Sequence, residues 1–251
     1  MWRNFMAEHR RHFKTVLGVI LLLVLALPIT LEAKGRVYLV AVGISDYPGT
    51  KNDLRLPAED ARRIEWIYRK NGGSTKILLN GQATEKEILK AIREQFNRAN
   101  PDDIILLFFS GHGYEGGFVS HDEFVDYGKI RQAMATSKAR TKLIFADACF
   151  AGQMRGQGKE SPSSFKDRNV LLFLSSRSNE VSQESQYMKN GFFTSALQRA
   201  LRGDADTNRD RIITARELFD YVSKDVRKLT HDKQHPVMWG NFDNNLTIIS
   251  W

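Results

Sequence analysis

Four short runs of this chain are apolar through their middles and carry no polar alternation: RVYLVAVGI (Arg36–Ile44), IILLFFS (Ile104–Ser110), KLIFADA (Lys142–Ala148) and NVLLFLSS (Asn169–Ser176). A strand with one wet face would alternate, so these read as strands buried on both faces, the habit of parallel sheets covered by helices. Helical stretches lie between them. Pro57–Lys70 opens with proline and acids and sets Ala61, Ile64, Ile67 and Tyr68 on one stripe. Thr84–Asn97 has threonine at its cap and Glu87 three residues on, a capping box. Tyr127–Ala135, Phe192–Leu201 and Leu218–Leu229 read as further helices, Thr75–Leu79 as a short strand and Leu246–Ser250 as a last one. Strands alternating with helices predict one α/β domain around a mostly parallel sheet. There is no internal repeat and no linker that would split it.

The first 34 residues stand apart from that domain, which runs from 35 to 251. Val16–Leu31 is almost wholly apolar and follows a basic start containing Arg3, Arg10, Arg11 and Lys14. It reads either as a signal peptide, with Ala33 at the cleavage site, or as a membrane anchor slightly short for a full span. Both readings send the rest of the chain across the membrane, to a periplasmic or extracellular location. The net charge of +8 is drawn partly from this segment and is otherwise scattered. No basic run is interleaved with aromatic residues, so a nucleic-acid partner is not expected.

Ligands of open parallel sheets bind beyond the carboxyl ends of the strands. Two such ends carry reactive groups here: Ser110-Gly111-His112-Gly113 and Asp147-Ala148-Cys149-Phe150-Ala151-Gly152. Cys149 is the only cysteine, which excludes an intrachain disulfide and a multi-cysteine metal site. A lone cysteine is commonly a small core residue, and a lone histidine is commonly structural. Placed together at neighbouring strand ends among glycines, they read as a thiol nucleophile and the imidazole that takes its proton. The amides of Gly113 and Cys149 are candidates for an oxyanion hole.

FFSGHG and DACFAG, with GISDYPG after the first strand and LPAEDA at the first helix, resemble the caspase-like peptidases, specifically their bacterial, metacaspase-like branch. The resemblance runs from about Arg36 to the C-terminus and includes LLFLSSRSNEVSQES and GFFTSAL. It implies a three-layer caspase-like fold and a cysteine endopeptidase acting on polypeptides, with no cofactor required. It also implies an acidic pocket for arginine or lysine. Asp147 stands two residues before the nucleophile, where caspases proper carry glutamine, and Asp60 matches the second acidic position. Paired carboxylates favour a guanidinium through charge-assisted hydrogen bonds, although Asp60 also suits a helix first turn. Ser176 and Glu184 are candidates for the pocket wall.

Asp206, Asn208, Asp210, Thr214 and Glu217 follow the spacing of a calcium loop, so calcium is a possible ligand. The sixth position, normally glycine, is Arg211, and the alternative is a helix N-terminus capped by acids. Two other functions compete with the peptidase. One is a catalytically inactive caspase-fold scaffold, which intact dyad positions do not favour. The other is a metal-dependent phosphatase built on His112, Asp147 and Asp122, which would need a denser cluster of His and Asp. The Gly152–Arg168 loop, with Arg155, Lys159, Lys166 and Arg168, is a candidate for self-cleavage given basic specificity.

Overall fold

The computed structural model describes residues 35–114, 116–148, 170–176 and 191–251. From Gly35 to Trp251 the chain forms one compact unit. Its described strands include a six-stranded sheet built from β1 (Val37–Gly43), β2 (Ser74–Leu79), β3 (Ile104–Ser110), β7 (Thr141–Asp147), β8 (Val170–Leu174) and β10 (Val237–Asn241), in the order β10-β8-β7-β3-β1-β2. All pairings in it are parallel except β10 on β8.

Both faces are buried, as the unbroken apolar runs require. Side chains alternate across the sheet. Leu39, Ala41, Leu106, Phe108, Leu143 and Phe145 face one core, and Val40, Val42, Ile105, Leu107, Phe109, Ile144 and Ala146 face the other. The first core is covered by α1 (Pro57–Lys70), α4 (Phe192–Arg199) and α5 (Ala215–Leu229). The second is covered by α2 (Glu85–Phe96) and α3 (Tyr127–Ala135). The result is a three-layer α/β fold with a mostly parallel central sheet.

Most strands and helices lie within a residue or two of their sequence boundaries, and the differences have local causes. The last strand, β11 (Thr247–Ser250), does not join the main sheet; it pairs antiparallel with β9 (Ile212–Thr214). A hairpin of β4 (Gly113–Tyr114), β5 (Gly117–Val119) and β6 (Phe124–Asp126) follows the histidine loop. These strands are too short to show a period. Helix α4 ends two residues earlier than the sequence reading, at Arg199 rather than Leu201, and passes into a wider turn over Ala200–Asp204 in which Gly203 has φ 120°. Helix α5 starts at Ala215 because Thr214 and Glu217 close a capping box.

The residue that brings α1 to the functional edge is Gly43, the last of β1. A Cβ there would collide with the Pro57 carbonyl and stand 2.7 Å from the Ala61 Cβ. Glycine lets the helix start press directly on the strand end. Ser45 Oγ, just beyond, accepts the Ala58 N–H at 3.0 Å and serves as the cap that Leu56 cannot provide.

Candidate active site

The sheet stops being apolar at its carboxyl edge. The parallel register aligns Gly43 with Ser110 and Ser110 with Asp147. By alternation, Ser110 and Asp147 continue the rows of Leu106 and Phe108 and of Leu143 and Phe145, so they face the layer of α1 and α4. There Ser110 Oγ donates to Asp60 Oδ2 at 3.0 Å, from strand to helix α1. The Thr194 N–H and hydroxyl, on α4, donate to Asp147 Oδ2 at 3.1 and 2.8 Å. Asp60 and Asp147 are 1% and 7% exposed, so both carboxylates are buried. A Cβ built on Gly191 would lie 2.7 Å from Asp147 Oδ2 and 3.8 Å from Asp60 Oδ2, so one small volume borders both acids.

His112 lies two residues beyond Ser110 on a turn whose backbone is tied back to the sheet. The Gly111 N–H donates to the Asp147 carbonyl at 3.2 Å, extending the β3–β7 ladder by one step. Tyr47 holds the histidine from above. Its phenol oxygen accepts the His112 N–H at 2.9 Å and donates to the Val119 carbonyl at 3.4 Å, and its ring lies 4.8 Å from the imidazole. Burial pushes the Tyr47 phenol well above its usual range, so it stays protonated. A Cβ on Gly111 would come within 2.7 Å of that phenol oxygen, which is why the turn needs glycine. His112 Nε2 lies 2.7 Å from the Asn52 carbonyl. A carbonyl only accepts, so Nε2 carries the proton and Nδ1 keeps the lone pair.

Gly113 sits opposite Phe118 in the hairpin, and Val119 N–H donates to the His112 carbonyl at 2.9 Å. That pattern makes Gly113 a non-hydrogen-bonded position, with its amide turned away from β5. On the other strand, Ala148 is clamped by Ser175, whose hydroxyl accepts the Ala148 N–H and donates to its carbonyl, each at 3.2 Å. The Ser175 carbonyl is in turn held by the fully buried Gln234 at 2.8 Å. Ser176, the residue singled out in the sequence, is fully buried beside it.

His112, Gly113, Asp147 and Asp60 therefore gather at one edge of the sheet. Cys149 and Glu184 lie outside the described residues, as do the first 34 residues and the Gly152–Arg168 loop. Sequence reasoning passed over Tyr47, Asn52, Thr194, Ser175 and Gly191. Tyr47 lies in GISDYPG, where no single residue was given a role, Asn52 lies in a stretch with no helix or strand pattern, and the contacts of the others are made across the sheet edge.

The candidate calcium loop is turned inward on its own backbone. Asp206 Oδ1 and Oδ2 accept the N–H groups of Asp210 and Arg211 at 3.2 and 3.0 Å, and Asp210 Oδ1 accepts that of Ile212 at 2.8 Å. Asn208 Oδ1 accepts the Asp210 N–H at 2.9 Å. Glu217 Oε2 is held by the amide and hydroxyl of Thr214, and its Oε1 by Thr207. Arg211 does adopt the left-handed backbone of a calcium loop's sixth place, at φ 65°. Yet among the described residues no group of three or more His, Cys, Asp or Glu side chains is arranged to hold an ion.

Comparison with known proteins bears on the family and the fold. The family model for the caspase domain matches residues 36–246. Metacaspase-1 of Candida albicans is 31% identical over 106 residues, which is 39% of this chain and 22% of that protein's length. The caspase-1 structure from Spodoptera frugiperda superposes with a TM-score of 0.64 at 18% identity, covering 85% of this chain and 89% of that one. Protein GSU0716 of Geobacter sulfurreducens superposes with a TM-score of 0.63 at 16% identity, over 83% and 94% of the two chains. At such identities the two structures show a shared fold.

Proposed function

This chain belongs to the caspase-domain family of cysteine peptidases, and from that premise we propose that it is an endopeptidase that cuts after arginine or lysine. Cys149 is the nucleophile and His112 its base. The observation that carries the reading is the β3–β7 register. Ser110 is level with Asp147, and the ladder continues through Gly111. In the sequence His112 and Cys149 each follow that level by two residues, and the strands that lead to them lie about 4.8 Å apart.

In this mechanism the Asn52 carbonyl holds the imidazole with its Nδ1 lone pair available. That nitrogen takes the thiol proton, and the thiolate attacks the scissile carbonyl. The amides of Gly113 and Cys149 receive the oxyanion. The imidazolium then returns the proton to the leaving amine, and water releases the acyl group from sulfur by the same base. Asp60 and Asp147 bind the basic side chain before the scissile bond, with Ser176 and Glu184 at the pocket wall.

The dyad's chemistry needs no metal. Calcium at residues 206–217 would have to draw Glu217 out of its capping box, so we assign this loop a structural role. The basic, apolar first 34 residues are proposed to direct export, either cleaved or kept as an anchor. Among the described residues no helix is long and apolar enough to cross a membrane.

The test is initial-rate cleavage of fluorogenic arginyl, lysyl and aspartyl peptides by the parent, Cys149→Ala and His112→Ala. The expected result is cleavage after arginine and lysine, lost by about a thousandfold or more in both variants. A Cys149→Ala protein with the parent's rate removes the nucleophile assignment. Faster cleavage after aspartate removes the acidic pocket.

A further inference from the structure

Helix α4 lacks a cap of its own. Its N-cap is Gly191, with φ −55° and ψ 153°, and no side chain there bonds the first turn. That backbone is ordinary extended geometry open to any residue, so glycine is not there for conformational freedom. Serine, threonine, asparagine or aspartate would cap the helix better. Any of them would have to displace the Asp147 carboxylate, because even a methyl group would stand 2.7 Å from Asp147 Oδ2. The missing cap is supplied from β7 instead. Thr194 is the third residue of the helix, and its N–H, the group an N-cap side chain usually receives, donates to Asp147 Oδ2. The Thr194 hydroxyl donates to the same oxygen.

We propose that Gly191 and Thr194 are positioning residues for substrate selection. Asp147 caps helix α4 from the neighbouring strand, which fixes its carboxylate. Gly191, having no side chain, leaves that carboxylate undisplaced beside Asp60, where an arginine or lysine head would bind. This rests on the basic-pocket reading above and adds to it two residues that touch neither the thiol nor the imidazole. It also makes the pocket and the start of α4 one unit, so a change at either is felt at the other.

Four measurements test it. Steady-state kinetics on an arginyl peptide are compared for the parent, Gly191→Ala, Thr194→Val and Thr194→Ser. Alkylation by iodoacetamide is followed in the same proteins, and with one cysteine in the chain it reports Cys149 alone. Hydrogen exchange at the Thr194 amide is compared between the parent and Asp147→Ala. Melting temperatures establish that each variant is folded.

Gly191→Ala is expected to raise KM about tenfold, the scale of one charge-assisted contact, with kcat and the alkylation rate nearly unchanged. Thr194→Val raises KM less, since its amide remains, and Thr194→Ser restores it. In Asp147→Ala the Thr194 amide exchanges roughly tenfold faster. Gly191→Ala with the parent's KM overturns the proposal, as does unchanged exchange at Thr194. Equal losses in kcat, KM and alkylation also overturn it, because they mark general damage. A parent that cuts arginyl peptides no better than aspartyl ones overturns the basic pocket itself. An arginine-selective parent with an indifferent Gly191→Ala overturns only the positioning role.

Discussion

Tyr47→Phe deletes one oxygen and isolates what holds the proposed base in place. The phenol makes two hydrogen bonds of unequal quality. It receives the His112 N–H at 2.9 Å, a normal length, and reaches the Val119 carbonyl at 3.4 Å, near the limit for a bond. The loss is therefore mostly one bond, and it leaves the amide of a half-buried residue without its partner. A buried donor left unpaired costs about 1–3 kcal/mol, and partial access to water puts this one near the lower end. The ring, 4.8 Å from the imidazole, remains in the variant. About 1.4 kcal/mol of lost orientation corresponds to a tenfold lower rate. The expected result is thus a three- to tenfold fall in kcat on an arginyl peptide, by that same conversion. KM should stay nearly constant, because Tyr47 is not among the groups bonded to Asp60 or Asp147. The urea midpoint should fall by roughly half a molar with an unchanged slope. Because burial keeps the phenol protonated, the deficit should be the same at mildly acid and mildly alkaline pH. A variant with the parent's kcat would refute the reasoning, since the amide bond would then have no part in positioning His112.

Three further outcomes follow from groups elsewhere in the domain. Tyr68 is 1% exposed and its hydroxyl has no hydrogen-bond partner among the described residues, so Tyr68→Phe should be neutral or raise the melting temperature. Burial raises the phenol pKa values of Tyr47, Tyr68 and Tyr127, so these phenols stay neutral in the folded chain after the unfolded chain has begun to ionise near pH 10. The native state then binds more protons than the unfolded one. Stability should be intact below about pH 10 and decline above it, and absorbance titration should show these three ionising only as the fold is lost. Glu217→Ala should cost about 1–2 kcal/mol by opening the capping box with Thr214. If the loop's role is structural, added calcium leaves the parent's melting temperature unchanged; a calcium-dependent rise that Glu217→Ala abolishes would reverse that assignment.

The elements easiest to read in the sequence were those whose burial leaves a periodic trace. Ile104–Ser110 and Pro57–Lys70 have the same bounds in the structure because a doubly buried strand and a striped helix each constrain many residues at once. His112 was legible because strand ends are where parallel sheets place chemistry, and the pocket readings of Asp147 and Asp60 followed from the family resemblance. The hairpin after His112 was not legible, since two- and three-residue strands carry too few positions to show alternation. Edge strand β10 also escaped, because VMWGN is only partly buried and contains glycine. Thr194 was hidden for another reason. Its partner is 47 residues away across the sheet edge, and local sequence shows only a helix that begins without a cap. That absence is itself a usable signal, because a helix starting at glycine with no acid in its first turn must find its cap elsewhere.

The apolar pattern that selects the fold also limits where the acids can stand. A carboxylate in place of Phe145, two residues earlier, would be fully buried in the apolar core with Phe108 and Phe173. At Asp147 the strand has reached the start of α4, whose free N–H groups supply the bonds a buried carboxylate needs. One step in either direction would send the acid to the opposite face, toward α2 and α3 and away from Asp60. A slip of the β3–β7 register would likewise part Asp147 from Ser110 and spoil the level from which His112 and Cys149 are both two residues removed. Each row of buried side chains opposes such a slip, because it would turn every one of them to the wrong layer. The proposed acidic pocket and the proposed dyad thus depend on one register, and that register is held by the hydrocarbon beneath them.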